Sequence, residues 1–137
     1  MTKTSTVEYL GELRTQMVHL DSGSIVITDA PKDNQGKGEA FAPTDLVATA
    51  LASCMISVMG IRARKDAIDI VGTKAEISKV MQLSPRKIAS ITIQINFPNV
   101  YSEKTKKILE KTALACPVSK SFDNDIKQVV TFNYPEN

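Results

Sequence analysis

Between Leu46 and Ile61 the chain runs for sixteen residues without a charge. So long an apolar run has two homes, a bilayer or a protein core. Apolar residues recur at Leu46, Ala50, Cys54 and Val58, with Val47, Leu51 and Met55 one step round. That three-to-four spacing predicts a helix, from about Ala42 to Asp66, buried over most of its girth. Pro43 suits its first turn, where a missing N–H has no intrahelical partner to lose, and either Thr44 or Asp45 suits its positive end. Arg62, Arg64 and Lys65 suit the carbonyl end. Crossing a bilayer takes about twenty apolar residues, and this run is shorter and contains Thr49, Ser53 and Ser57. The expectation is a core helix and no membrane partner.

A chain of 137 residues fits a single domain, 1–137, yet a helix this apolar needs more cover than one small sheet supplies. A partner subunit could provide it. The N-terminal MTKTSTVEY has no apolar segment behind its lysine, so a cytoplasmic location is expected. In that compartment two cysteines are free thiols or a functional pair rather than a structural staple. Seventeen basic residues against fifteen acidic leave a net charge of +2, which argues against a nucleic-acid partner.

Along the chain, period-two alternation from Thr4 to Leu20 predicts one half-buried strand, with Val7, Tyr9, Leu13 and Met17 on one face and Glu8, Glu12, Arg14 and Gln16 on the other. Asp21–Ser24 reads as a turn and Ile25–Thr28 as the returning arm of a hairpin. Residues 29–38 form a loop; its Gly36-Lys37-Gly38 lacks the spacing of a phosphate-binding loop. After the core helix, Ile68–Gln82 and the alternating Ile91, Ile93, Ile95 and Phe97 predict a second hairpin around Ser84-Pro85. Ser102 caps a second helix with a stripe of Ile108, Leu109, Thr112, Ala113 and Cys116, Pro117 starts a short third helix, and Ile126–Tyr134 closes as a strand. Strands, helix, strands, helix, strand is an α+β order.

His19 and two cysteines are too few for a closed zinc site, and no cofactor is expected. A lone strand histidine more often decorates a surface or satisfies a core than forms a Cys-His nucleophilic pair. On local grounds Cys116, at the start of the helix opened by Pro117, has the better case for a lowered pKa, and the mid-helix Cys54 should be inert. Both cysteines also fit as small apolar packing residues. Yet both lie on apolar helical faces that must pack somewhere. If the two faces meet, one thiolate could attack an oxidant and the other resolve the sulfenic acid.

Ala42-Pro43-Thr44-Asp45-Leu46, Ala52-Ser53-Cys54 and Ala115-Cys116-Pro117-Val118-Ser119-Lys120 together resemble the OsmC/Ohr family of thiol-dependent peroxidases, in the family's order over nearly the whole chain. The resemblance implies an intertwined homodimer with antiparallel bent sheets around a long buried central helix. It assigns Cys54 as the peroxidatic cysteine and Cys116 as the resolving one, reversing the local ranking. It also matches Arg14, by its distance to the Gly23 turn and to Pro31, to an arginine placed beside the thiol, where a guanidinium favours the thiolate and can orient a hydroperoxide. Organic-peroxide reductases of this family carry a glutamate directly after the helix-opening proline, paired with that arginine. Here Thr44 stands in that place and Asp45 faces another direction, about 100 degrees round the helix, so the chain resembles an OsmC-like branch whose arginine lacks its usual partner.

The implied function is reduction of organic or inorganic hydroperoxides, with an external dithiol as reductant. Two alternatives draw on the same residues. One is a non-catalytic module binding a small apolar or thiol ligand, which Thr44 favours. The other is a redox-sensing interaction protein whose disulfide alters a surface read by a partner.

Overall fold

Residues 1–136 are described by the structure, a computed structural model. It contains six strands and three α-helices: β1 (Ser5–Gly11), β2 (Arg14–His19), β3 (Ile25–Asp29), α1 (Pro43–Lys65), β4 (Lys74–Gln82), β5 (Lys87–Asn96), α2 (Glu103–Leu114), α3 (Pro117–Ser121) and β6 (Lys127–Asn133). The α+β class is as expected. Two compact units form, one from Met1 to Val47 and the other from Ala48 onward.

The first unit is an antiparallel meander, β1-β2-β3. The strand predicted over Thr4–Leu20 is in fact two strands. Glu12 and Leu13 turn the chain with φ of 55° and 61°, the left-handed geometry of a tight hairpin turn, usually built from Asn-Gly or Asp-Gly. Neither residue type advertises such a turn, and Gly11, at φ 87°, was its one local sign. A register shift between Tyr9 and Gly11 keeps the odd-numbered row on one face in both strands, pairing Val7 with Met17 and Glu8 with Gln16. The period-two pattern therefore passed through the turn uninterrupted.

In the second unit β4 and β5 pair antiparallel, as the alternation predicts, with Ile77 opposite Ile93 and Ala75 opposite Ile95. β6 then lies parallel to β5, with Ile93 opposite Val130 and Ile95 opposite Phe132. The expectation of purely antiparallel sheets is corrected here. A parallel neighbour needs a crossover of a dozen or more residues, and α2 with α3 is that crossover. The inner row Ile91, Ile93, Ile95 and Phe97 packs with Ala48, Leu51, Ala52, Met55, Met59 and Ala63 of α1 and with Leu109, Ala113 and Cys116 from α2 and its end. Burying each of the large aliphatic side chains stabilises the fold by about 1.5–3 kcal/mol.

α1 starts as predicted, and Asp45 does the capping: its carboxylate accepts the Ala42 N–H at 2.9 Å. Among the described residues α1 is the one helix long and apolar enough to cross a membrane, but its inner stripe is spent in this core. It is not buried over most of its girth. Val47, Ser53, Ser57 and Ile61 face outward, Ile61 with 72% of its surface exposed. One three-stranded sheet and one further long helix cover a stripe of a helix, not its circumference.

Candidate functional site

Cys54 lies on α1 one position before the buried Met55, which leaves its thiol half-buried at the margin of the core. Cys116 follows the α2 stripe Leu109 and Ala113 and is fully buried. Both are free thiols. The packing of α1 and the end of α2 in one core brings Cys54 near enough to Cys116 to raise its thiol.

Pro117 disfavours helical geometry at Cys116, whose backbone is extended at φ −64° and ψ 149°. In that conformation Cys116 caps α3 with its own sulfur, Sγ accepting the Ser119 N–H at 3.3 Å. Ser119 is held in turn by Gln128 of β6: Ser119 Oγ meets Gln128 Oε1 at 2.6 Å, and Gln128 Nε2 donates to the Ser119 carbonyl at 3.2 Å. Ser119 and Gln128 also line an open cleft of about 270 Å³ with Lys120, Phe122, Asp123, Asn124 and Ile126, so solvent comes within one hydrogen-bonded neighbour of the buried sulfur.

The local expectation of a lowered Cys116 pKa is overturned. Burial pushes the thiol up, the Ser119 N–H pulls it back in part, and the neighbouring Cys54 raises it further. A five-residue helix contributes little more than that one N–H, whereas the core around the sulfur excludes the solvent a thiolate needs. Chemically, Cys116 keeps its proton at neutral pH and lies beside a second, less buried thiol.

Arg14 belongs to the first unit, where it faces its direct cross-strand partner Asp29 at the end of β3. The pair is a two-point contact, Nε to Oδ1 at 2.7 Å and Nη2 to Oδ2 at 2.9 Å. The Asp29 side chain is 0% exposed and that of Arg14 34%. Arg14 holds the carboxyl of Asp29 below its ordinary value; burial opposes this and the Glu39 N–H, bonded to Oδ2 at 3.0 Å, assists. The same pairing raises Arg14. The partner that Thr44 does not supply is therefore present, on another strand.

Sequence reasoning missed Asp29, although a signal existed. The β2–β3 register is symmetric about the midpoint between Asp21 and Ser22, inside the recognised turn, and reflecting Arg14 through that point lands on Asp29. His19 is the exposed last residue of β2, with its Nδ1 2.7 Å from Ser22 Oγ. No group of three or more His, Cys, Asp or Glu side chains is arranged to hold a metal among the described residues.

A family model described as OsmC-like protein matches residues 36–131. No match is found among curated proteins. Among solved structures, the chain is 53% identical to a Psychrobacter arcticus 273-4 protein assigned by name only to the osmotic stress induced and detoxification response; 97% of each chain is covered, with a TM-score of 0.94. An organic hydroperoxide resistance protein OsmC from Legionella pneumophila shares the fold at 15% identity, with 97% of this chain and 98% of that one covered and a TM-score of 0.75. An organic hydroperoxide resistance protein from Elizabethkingia anophelis does so at 18% identity, with coverage of 98% and 99% and a TM-score of 0.70.

Proposed function

The chain belongs to the OsmC/Ohr family, and on that footing we propose that it is a thiol-dependent hydroperoxide reductase. The observation that carries this reading is the meeting of the half-buried Cys54 and the buried Cys116 at the edge of one core. The Cys54 thiolate attacks the distal oxygen of the hydroperoxide. The S–O bond forms as the O–O bond breaks, and the leaving oxygen takes a proton and departs as alcohol or water. The Cys116 sulfur then attacks the Cys54 sulfenic acid, water leaves, and an external dithiol reduces the resulting disulfide by two exchange steps. The raised Cys116 thiol suits the second role, since a thiol that stays protonated does not compete for the oxidant. Arg14 stabilises the thiolate and orients the hydroperoxide, a role that rests on family likeness.

The proposal includes a homodimer in the cytoplasm. Its support is apolar surface left open by the single chain: Val7 and Tyr9 of β1 are 64% and 65% exposed, and Ile61 of α1 stands outward. A second copy would cover such surface and supply what one small sheet does not.

The test is hydroperoxide consumption with a dithiol supplied, for wild type, Cys54→Ser and Cys116→Ser. Wild type turns over, Cys54→Ser is inert, and Cys116→Ser consumes one equivalent and stalls. Consumption that survives Cys54→Ser sinks the assignment; an inert wild type favours a non-catalytic module.

A further inference from the structure

Along the inner row of β6, Val130 and Phe132 stand opposite Ile93 and Ile95 of β5, and Gln128 stands opposite Ile91. An amide in such a row is costly unless both its ends are bonded. Here both are bonded to one residue: Oε1 accepts the Ser119 hydroxyl at 2.6 Å, and Nε2 donates to the Ser119 carbonyl at 3.2 Å. A leucine would suit the row with no such partner, so the sheet itself does not require glutamine. The segment it holds does. α3 has five residues, too few to stand on their own hydrogen bonds, and none of them is buried. Val118 and Phe122 pack only partly against the core, and Gln128 ties the stretch between them to the sheet. The residue tied down is the one whose N–H lies on the Cys116 sulfur, 3.3 Å from N to Sγ.

We propose that Gln128 is a positioning residue for the resolving step: through Ser119 it keeps an N–H on Cys116 Sγ, fixing that sulfur in place and stabilising charge on it as it attacks the Cys54 sulfenic acid. The inference rests on the peroxidase reading. In that step the S–S bond forms and the S–O bond breaks, and the departing hydroxide takes the proton given up by Cys116, so that water is the other product. Burial works against a thiolate at Cys116, and the Ser119 N–H works for it. A donor already in place needs no reorganisation when the charge appears. Disulfide closure also demands a narrow range of sulfur positions, which a pinned side chain meets more often than a free one.

The experiment follows one equivalent of tert-butyl hydroperoxide in wild type, Gln128→Leu and Ser119→Ala. Two steps are timed apart: sulfenic acid on Cys54, trapped with dimedone, and the disulfide, read as the loss of two hydrogens in the intact mass. Gln128→Leu slows closure about 10- to 100-fold, the scale of a lost hydrogen bond to a charged group, and moves the pH inflection of closure upward. The sulfenic acid still forms at close to the wild-type rate. The urea midpoint barely changes, because leucine suits the row and water in the adjoining cleft can bond Ser119. Ser119→Ala keeps only the carbonyl bond to Gln128, closes at a rate between the other two, and decides the matter if Gln128→Leu does not fold. Closure at the wild-type rate in the deciding variant overturns the inference and leaves the peroxidase reading intact. A parallel fall in both steps, or an inflection that does not move, also overturns it, because either marks a structural residue. Wild-type protein that forms no sulfenic acid overturns the peroxidase reading, and this inference with it.

Discussion

Cys116 carries two loads that substitution separates. Its sulfur fills a fully buried place in the core and caps α3 by accepting the Ser119 N–H, and in the proposed reaction it closes the disulfide. Cys116→Ala removes both the acceptor and the volume. Loss of a cap costs about 0.5–2 kcal/mol, and a buried gap about one heavy atom in size adds roughly 1 kcal/mol. The expected loss is therefore about 1.5–3 kcal/mol, read as a lower urea midpoint with an unchanged slope. Cys116→Ser keeps an oxygen that can accept the same N–H, so it is expected to retain at least about half of that stability. For turnover the two variants are equal: neither can resolve the sulfenic acid on Cys54. After one equivalent of peroxide both proteins should gain the mass of a single oxygen atom and form no intramolecular disulfide, while wild type loses two hydrogens. Sustained turnover in Cys116→Ser at the wild-type rate would refute the pairing. Equal stability of the Ala variant and wild type would refute the capping argument.

Two further outcomes follow from the geometry. A Cβ on Gly36 would lie 1.7 Å from the Ala30 carbonyl oxygen, a backbone atom that cannot yield, so Gly36→Ala should displace the 30–38 loop and cost about 1–3 kcal/mol. Hydrogen exchange at Gly38 and Glu39 should rise, and unchanged exchange there would show that the loop tolerates the side chain. The second outcome concerns alkaline pH. The Cys116 thiol sits above its ordinary value of 9.0, so the unfolded chain gives up this proton first and stability falls as pH rises between roughly pH 8 and 10. Tyr101 and Tyr134, both raised by burial, extend that fall to higher pH. Urea midpoints over that range should decline less in Cys116→Ser than in wild type; equal slopes would count against a buried thiol.

What could be known from the amino-acid order was whatever is written in local periodicity and end chemistry. The uncharged run and its flanking Pro43 and arginines located α1; alternation located β5; Ser102 and Pro117 marked the starts of α2 and α3. The two cysteine contexts pointed to one site. The Glu12–Leu13 turn escaped because its left-handed geometry is imposed by strand pairing on residues that do not favour it. The parallel placement of β6 escaped too, since strand order in a sheet is a choice among packings that alternation does not distinguish.

Tertiary structure also decided the electrostatics at Cys116 and at Arg14, and did so against the local evidence. A helix start promises a thiolate at Cys116, but the core formed by residues distant in sequence withholds the solvent that would support it. A missing glutamate at Thr44 suggests an unpaired arginine, but the register of β2 and β3 sets Asp29 directly across from Arg14. Periodicity is a property of neighbours along the chain. Solvation and ion pairing belong to neighbours in space, and for Cys116 and Arg14 those neighbours are residues the chain brings together only when it folds.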